Sequence, residues 1–205
     1  MVEYSEKDYT LKSDHIPFEI SYYKIKEFFI VYSNYIGFIK GCESFIRKSN
    51  DYREYISAIK EIGLTKCQVL GNIDSSDADT EMHHGPIFTL FDYCAVMLSY
   101  MIKSNIPIST PKVAKRIMDE HWEGNIQTVM LSTTAHQAVD SGRLFISLKS
   151  AYGNLNNFIK KYRIGISDNQ KNKINEYIRL CGQYNSTDNG LFDLKETMYN
   201  WNEIK

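Results

Sequence analysis

Ile126-Gln127-Thr128-Val129-Met130-Leu131 runs directly into Ser132-Thr133-Thr134-Ala135-His136-Gln137-Ala138-Val139-Asp140, and the run ends at Ser141-Gly142. Its first six residues have the composition of a half-buried strand. Ser132 or Thr133 then caps a short helix, which Ser141-Gly142 closes. Four residues separate His136 from Asp140, a spacing that places both on one helix face, pointing at a common centre. Upstream, Thr80-Glu81-Met82-His83-His84 reads as another strand, stopped by Gly85-Pro86. Adjacent residues of a strand point to opposite sides. If His83 turns towards the helix face, His84 turns elsewhere, towards whatever occupies the cleft.

Between these two stretches the chain predicts helices. Thr89 caps one that runs through Leu90, Val96, Leu98 and Met101, and Thr110-Pro111 starts a second through Val113, Ile117 and Met118. Before them, Asp51 to Ile62 reads as a helix capped by Asn50 or Asp51 and stopped by Gly63. Cys67-Gln68-Val69-Leu70 reads as a short strand and Asp74 to Asp79 as a loop. The first 48 residues are rich in aromatic and β-branched residues. There Phe18 to Tyr23 and Phe28 to Tyr32 suit strands, while Tyr22 to Phe38 also permits helix. After the central run, Leu144-Phe145-Ile146 suits an edge strand, Leu155 to Tyr162 and Ser167 to Leu180 suit helices, and the tail from Gly182 to Leu191 is polar and irregular.

Across 205 residues, 24 Lys and Arg stand against 25 Asp and Glu, a net charge of −1. That balance argues against a polycation coating nucleic acid, and leaves a local basic face open. A hydrophobic share of 43% and a charged share of 24% exclude wholesale disorder. No apolar run approaches the ~18 residues of a membrane span, and the polar, acidic start gives no expectation of a secretory signal. Cys42, Cys67, Cys94 and Cys181 form no CxxC pair, which suits buried thiols in a reducing cytoplasm. The expected division is an N-terminal α/β accessory region (1–64), a central core (65–146) with a helical insertion at 87–123, and a C-terminal helical region (147–205).

Two imidazoles and a carboxylate are a sufficient ligand set for a divalent metal with open positions. A further histidine kept off the metal, with an ordinary pKa of ~6.5, is a neutral base at cellular pH. Such a base beside an electrophilic metal is a hydrolytic arrangement. Glu81, two residues before His83, is either an added ligand or, more often for such a carboxylate, an exposed or supporting group. His121, beside Trp122, reads as a helix-end residue facing the dipole.

Glu81-Met82-His83-His84-Gly85-Pro86 together with Asn125 to Gly142 resembles the two halves of an HNH endonuclease motif, in which a β-hairpin packs on a short helix around one metal ion. Ser132 and Ala135 stand where many members carry zinc-ribbon cysteines, as in the ribbon-less colicin-like branch. The resemblance implies an α+β fold with a ββα-metal (HNH-like) core embedded in a largely helical domain, of phage or bacterial type. It implies His83, His136 and Asp140 as metal ligands and His84 as general base. For the central motif residue, Gln127 fits the strand alignment and Asn125 the chemistry of a loop brace. The implied cofactor is one divalent ion, Mg²⁺ or Mn²⁺ favoured by the aspartate, with Zn²⁺ or Ni²⁺ as alternatives.

The activity so implied is metal-dependent hydrolysis of DNA phosphodiester bonds in the bacterial or phage-infected host cytoplasm. Lys112, Lys115, Arg116 and Arg143 are the expected contacts to flanking phosphates. DNA is the expected partner, with a protein partner or a second copy to supplement modest affinity, and no membrane. Two rivals stand beside it. One is a non-cleaving HNH-fold binding or structural module of a phage or defence assembly, and the other is a hydrolase of a different phosphoester, such as RNA or a nucleotide.

Overall fold

The computed structural model describes residues 11–13, 16–18, 25–71, 78–184 and 189–203. Strands β1 (Leu11–Ser13) and β2 (Ile16–Phe18) pair antiparallel, followed by helices α1 (Ile25–Ile30), α2 (Tyr32–Lys48) and α3 (Asn50–Glu61). Strand β3 (Thr80–His84) precedes α4 (Leu90–Lys103) and α5 (Thr110–Trp122). Strand β4 (Thr128–Ser132) leads at once into α6 (Thr133–Asp140), and α7 (Leu155–Lys161), α8 (Asp168–Gln183) and α9 (Asn189–Glu203) complete the chain. The class is α+β, dominated by helix.

Local chemistry explains most boundaries. Ser49 caps α3 through its hydroxyl, one residue before the expected cap. Thr89 and Asp92 form a reciprocal capping box on α4, and Ser109 caps α5 with proline in its first turn. Ser132 caps α6 by accepting from the Ala135 N–H, so the last residue of β4 also starts the helix. The Phe28–Tyr32 segment, open to either reading, is helical apart from its break at Val31. Residues 19–24, 72–77 and 185–188 lie outside the described residues, and with them parts of the expected first strand, the Asp74–Asp79 loop and the irregular tail.

Three expectations for local structure fail for identifiable reasons. Cys67–Leu70 is a turn, not a strand. Gln68 pairs with β4 there, donating its N–H to the Met130 carbonyl (2.8 Å) and accepting the Met130 N–H on its side-chain oxygen (2.7 Å). A single backbone bond and one side-chain oxygen thus stand where a strand was expected. Leu144–Ile146 is irregular, while the sheet's extra edge contact is a bridge between Thr128 and Tyr152. The tail becomes regular at Asn189, where α9 packs Leu191, Leu194 and Met198 into the core.

One apolar core runs from Ile39 and Ile46 of α2 through α4 and α5 to Ile174 of α8 and Met198 of α9. It therefore draws on all three sequence regions. The chain crosses itself closely at Gly153: with φ of +95°, it sits where a Cβ would lie 2.2 Å from the Ile126 carbonyl oxygen. All four cysteines are free and buried, and no helix among the described residues is long and apolar enough to cross a membrane.

Candidate metal centre

β3 and β4 are antiparallel neighbours with Glu81 opposite Leu131, Met82 opposite Met130, His83 opposite Val129 and His84 opposite Thr128. Alternation sorts these into two faces. Val129 and Leu131 form a small apolar cluster with Ala135 of α6, Cys67 and Ile146, so this face of the hairpin carries the helix. Met82 and Met130 belong to the main core on the opposite face. His83 and Glu81 share the α6 face; His84 shares the core face.

On the α6 side, His83, His136 and Asp140 each offer one ligand atom, and those atoms lie within 4.8 Å of one another. The two imidazoles meet edge to face with centroids 4.8 Å apart. His136 Nε2 is 3.7 Å from an Asp140 oxygen, and His136 Nδ1 is 2.8 Å from Glu81 Oε2. A carboxylate only accepts, so Nδ1 carries a proton, and Nε2 is the nitrogen on the Asp140 side. Burial lowers the His83 pKa, the neighbouring His136 lowers it further, and Asp140 opposes both. At neutral pH His83 is thus an uncharged ring able to act as a ligand.

The donor set fits a divalent cation: two imidazole nitrogens and one carboxylate oxygen, with the carboxylate exposed and positions left for water. Gly85 sharpens the fit. A Cβ there would fall 2.9 Å from both Cδ2 and Nε2 of His83, so the glycine is the floor on which the ring rests.

His84 stands differently from the role the resemblance implied. It is 4% exposed and lies on the core face, its ring stacked on Tyr52 (6.1 Å, 10°) and perpendicular to His121. Its Nε2 is 3.0 Å from His121 Nε2, and His121 Nδ1 is 2.8 Å from the Ile117 carbonyl. The carbonyl forces the His121 proton onto Nδ1, so its Nε2 accepts from His84 Nε2–H. The remaining His84 nitrogen, Nδ1, is buried with no hydrogen-bond partner. Burial, reinforced by His121, holds the His84 pKa well below the usual value. The one lone pair able to take a proton thus lies on a buried nitrogen, where the resemblance implied a base facing a cleft.

The other expected residues divide as well. Asn125 is a loop brace: its amide donates to Glu120 (2.7 Å) and Glu123 (3.1 Å) and ties the α5–β4 turn. Gln127 is buried with its Oε1 unpartnered, and alternation along β4 puts it on the side of Val129, the residue opposite His83. Its backbone N–H donates to the Tyr93 hydroxyl (3.0 Å). Lys112, Lys115 and Arg116 lie on α5, which meets the hairpin through His121 on the core face, away from His83. Lys115 moreover pairs with Asp119 at 3.0 Å. Only Arg143, exposed just beyond α6 and anchored to Ser141 Oγ at 2.8 Å, is on the helix side of the hairpin.

Sequence reasoning undervalued two residues. Glu81 was legible as a neighbour of His83 on one strand face, but not as the partner of His136. His121 follows Ile117 and Val113 at intervals of four, and this spacing puts it on the buried stripe of α5 instead of its solvent end.

No curated protein and no solved structure matches the chain. A family model for bacteriophage G278-like virion proteins matches residues 2–205. The match spans nearly the whole chain and agrees with the phage association expected from the motif, so the chain belongs to the bacteriophage G278-like virion protein family.

Proposed function

We propose that the protein is a component of a phage particle whose β3–β4–α6 unit is an HNH-like ββα module holding one divalent metal ion, serving as a binding or structural element and not as a His84-dependent nuclease. The observation that carries this reading is the division of the two adjacent histidines. His83 joins His136 and Asp140 within 4.8 Å on the helix face, while His84 is locked against His121 in the core. Bound there, the ion would join strand to helix and provide a Lewis-acidic centre for oxygen ligands. His83, resting on Gly85, and His136, held by Glu81, orient the two imidazole donors, and Asp140 supplies the charge that favours a cation.

A second reading, hydrolysis of DNA phosphodiesters, draws on the exposed Asp140 carboxylate of this cluster and on Arg143, an exposed cation that follows α6 in the chain. One experiment separates the two. Purified protein is titrated with Mn²⁺, Zn²⁺, Ni²⁺ and Mg²⁺ by calorimetry, then incubated with supercoiled plasmid and each metal, alongside His136→Ala. Metal binding lost in the variant, with no nicking by either protein, is the expected result. Nicking that requires both metal and His136 would replace the module reading with the nuclease. Absence of binding by the wild type would overturn the metal centre itself.

Gly85→Ala tests the floor beneath His83. The clash is with the end of a side chain, so the ring swings away at a cost of about 1 kcal/mol to folding. Metal affinity should fall by about tenfold or more, with the melting temperature changed by only a few degrees. Equal affinity in the two proteins would mean that the His83 ring has freedom the packing denies.

A further inference from the structure

We infer that Glu81 is a positioning residue for His136, its carboxylate fixing the ring in the Nδ1–H form so that Nε2 presents its lone pair to the His83–Asp140 side. The inference rests on the metal-holding reading above for its consequence, and on geometry alone for its first step. Glu81 lies two positions before His83, which puts both on the α6 face of β3. Its Oε2 is 2.8 Å from His136 Nδ1, across a separation of 55 residues in sequence. The other ring nitrogen lies 3.7 Å from Asp140. The two carboxylates thus take opposite edges of one imidazole, and only one of them is in hydrogen-bond contact.

The roles of the two acids follow from that difference. Glu81 uses the ring proton, so it competes with nothing at Nε2. Asp140, beyond hydrogen-bond range of Nε2, keeps its oxygens available to the same centre as the nitrogen. A carboxylate on the far nitrogen of a ligating histidine fixes the tautomer, restrains the ring and raises the basicity of the donor nitrogen. Without Glu81, the His136 proton is free to move to Nε2, which blocks the donor. The ring is also free to flip about its Cβ–Cγ bond.

The test uses the full chain labelled with ¹³C and ¹⁵N at histidine, without metal and then titrated with Zn²⁺. In the metal-free wild type, the His136 ring shifts should report the Nδ1–H form. Glu81→Ala should move them to the Nε2–H form or a mixture, and weaken Zn²⁺ binding by about 10- to 100-fold. Glu81→Gln keeps an acceptor oxygen opposite Nδ1 and should retain the tautomer and most of the affinity. An unchanged tautomer in Glu81→Ala overturns the inference. So does a Glu81→Gln variant that keeps the tautomer yet binds as weakly as Glu81→Ala, which would make Glu81 a direct ligand. Should the wild type take up no Zn²⁺, the metal reading fails, and the ring shifts of the metal-free proteins still decide whether Glu81 sets the His136 tautomer.

Discussion

Glu120→Ala should lower the stability of the protein by about 3 kcal/mol, a fall in melting temperature of roughly 6–12 °C for a chain of this length. The Glu120 carboxylate is 2% exposed and collects three donors. Lys161 Nζ reaches one oxygen at 2.6 Å, the Tyr162 hydroxyl donates to that same oxygen, and Asn125 Nδ2 reaches the other at 2.7 Å. Removing the acid takes away the acceptor of the buried Tyr162 hydroxyl, leaving it only the Lys161 ammonium, and leaves Asn125 with only its longer bond to Glu123. Lys161 suffers least, because it is half exposed and also pairs with Glu123 at 2.8 Å. Burial pulls the Lys161 pKa down, but the two carboxylates outweigh it and the net direction is up. Glu120→Gln preserves the shape and one acceptor, and should lose clearly less. Thermal unfolding of the three proteins is the measurement, and equal melting temperatures for wild type and Glu120→Ala would refute the argument. The consequence extends to β4, because Asn125 ties the turn that starts the strand.

Acidification should destabilise the protein through the buried His84–His121 pair. Burial lowers the His121 pKa to about 4, against the opposing hydrogen bond to Ile117, and His84 is shifted in the same direction. Above ~6.5, the ordinary value for an unfolded chain, both states are neutral and the full stability is present. As the pH falls below that, the unfolded chain binds protons that the folded pair refuses, so stability is lost until the folded value is reached. For His121 alone the interval is roughly 2.5 units at ~1.4 kcal/mol each, or about 3 kcal/mol, with His84 adding in the same sense. Denaturant unfolding at pH 7.5 and pH 4.5 checks it, beside the double variant His84→Phe/His121→Phe. Carboxylates contribute to the slope in both proteins, so the difference between them isolates the pair. A double variant as acid-sensitive as the wild type would defeat the explanation.

The succession of β3, β4 and α6 was legible because its signals are local. Alternation in Thr80–His84, a serine at the end of β4 that also caps α6, and a spacing of four between His136 and Asp140 each work within a few residues. The destination of His84 was not legible in this way. Alternation correctly turned it from His83, but whether the far side is a cleft or a core depends on where α3 and α5 pack, through Tyr52 and His121. The placement of the α5 lysines was hidden for the same reason: their helix meets the hairpin from the core side, through His121. Cys67–Leu70 had the composition of a strand, yet Gln68 paired with Met130 through its backbone N–H and its side-chain oxygen, and Tyr152 paired with Thr128, so the rest of the segment was left to turn. Glu81 required knowledge of a contact 55 residues away, which no local pattern encodes.

The two strands of the hairpin are joined not by a tight turn but by everything from Gly85 to Gln127, including α4 and α5. During synthesis β3 therefore leaves the ribosome with its pairing edge bare, and remains so until both helices and then β4 have followed. An exposed strand edge of this kind is a template for pairing with other chains. The edge of β3 carries Glu81, His83 and His84, a charged and polar sequence poorly suited to such stacking. Glu81 and His83, which face α6 in the finished fold, and His84, which faces the core, are thus also the residues that keep the growing chain from joining its neighbours.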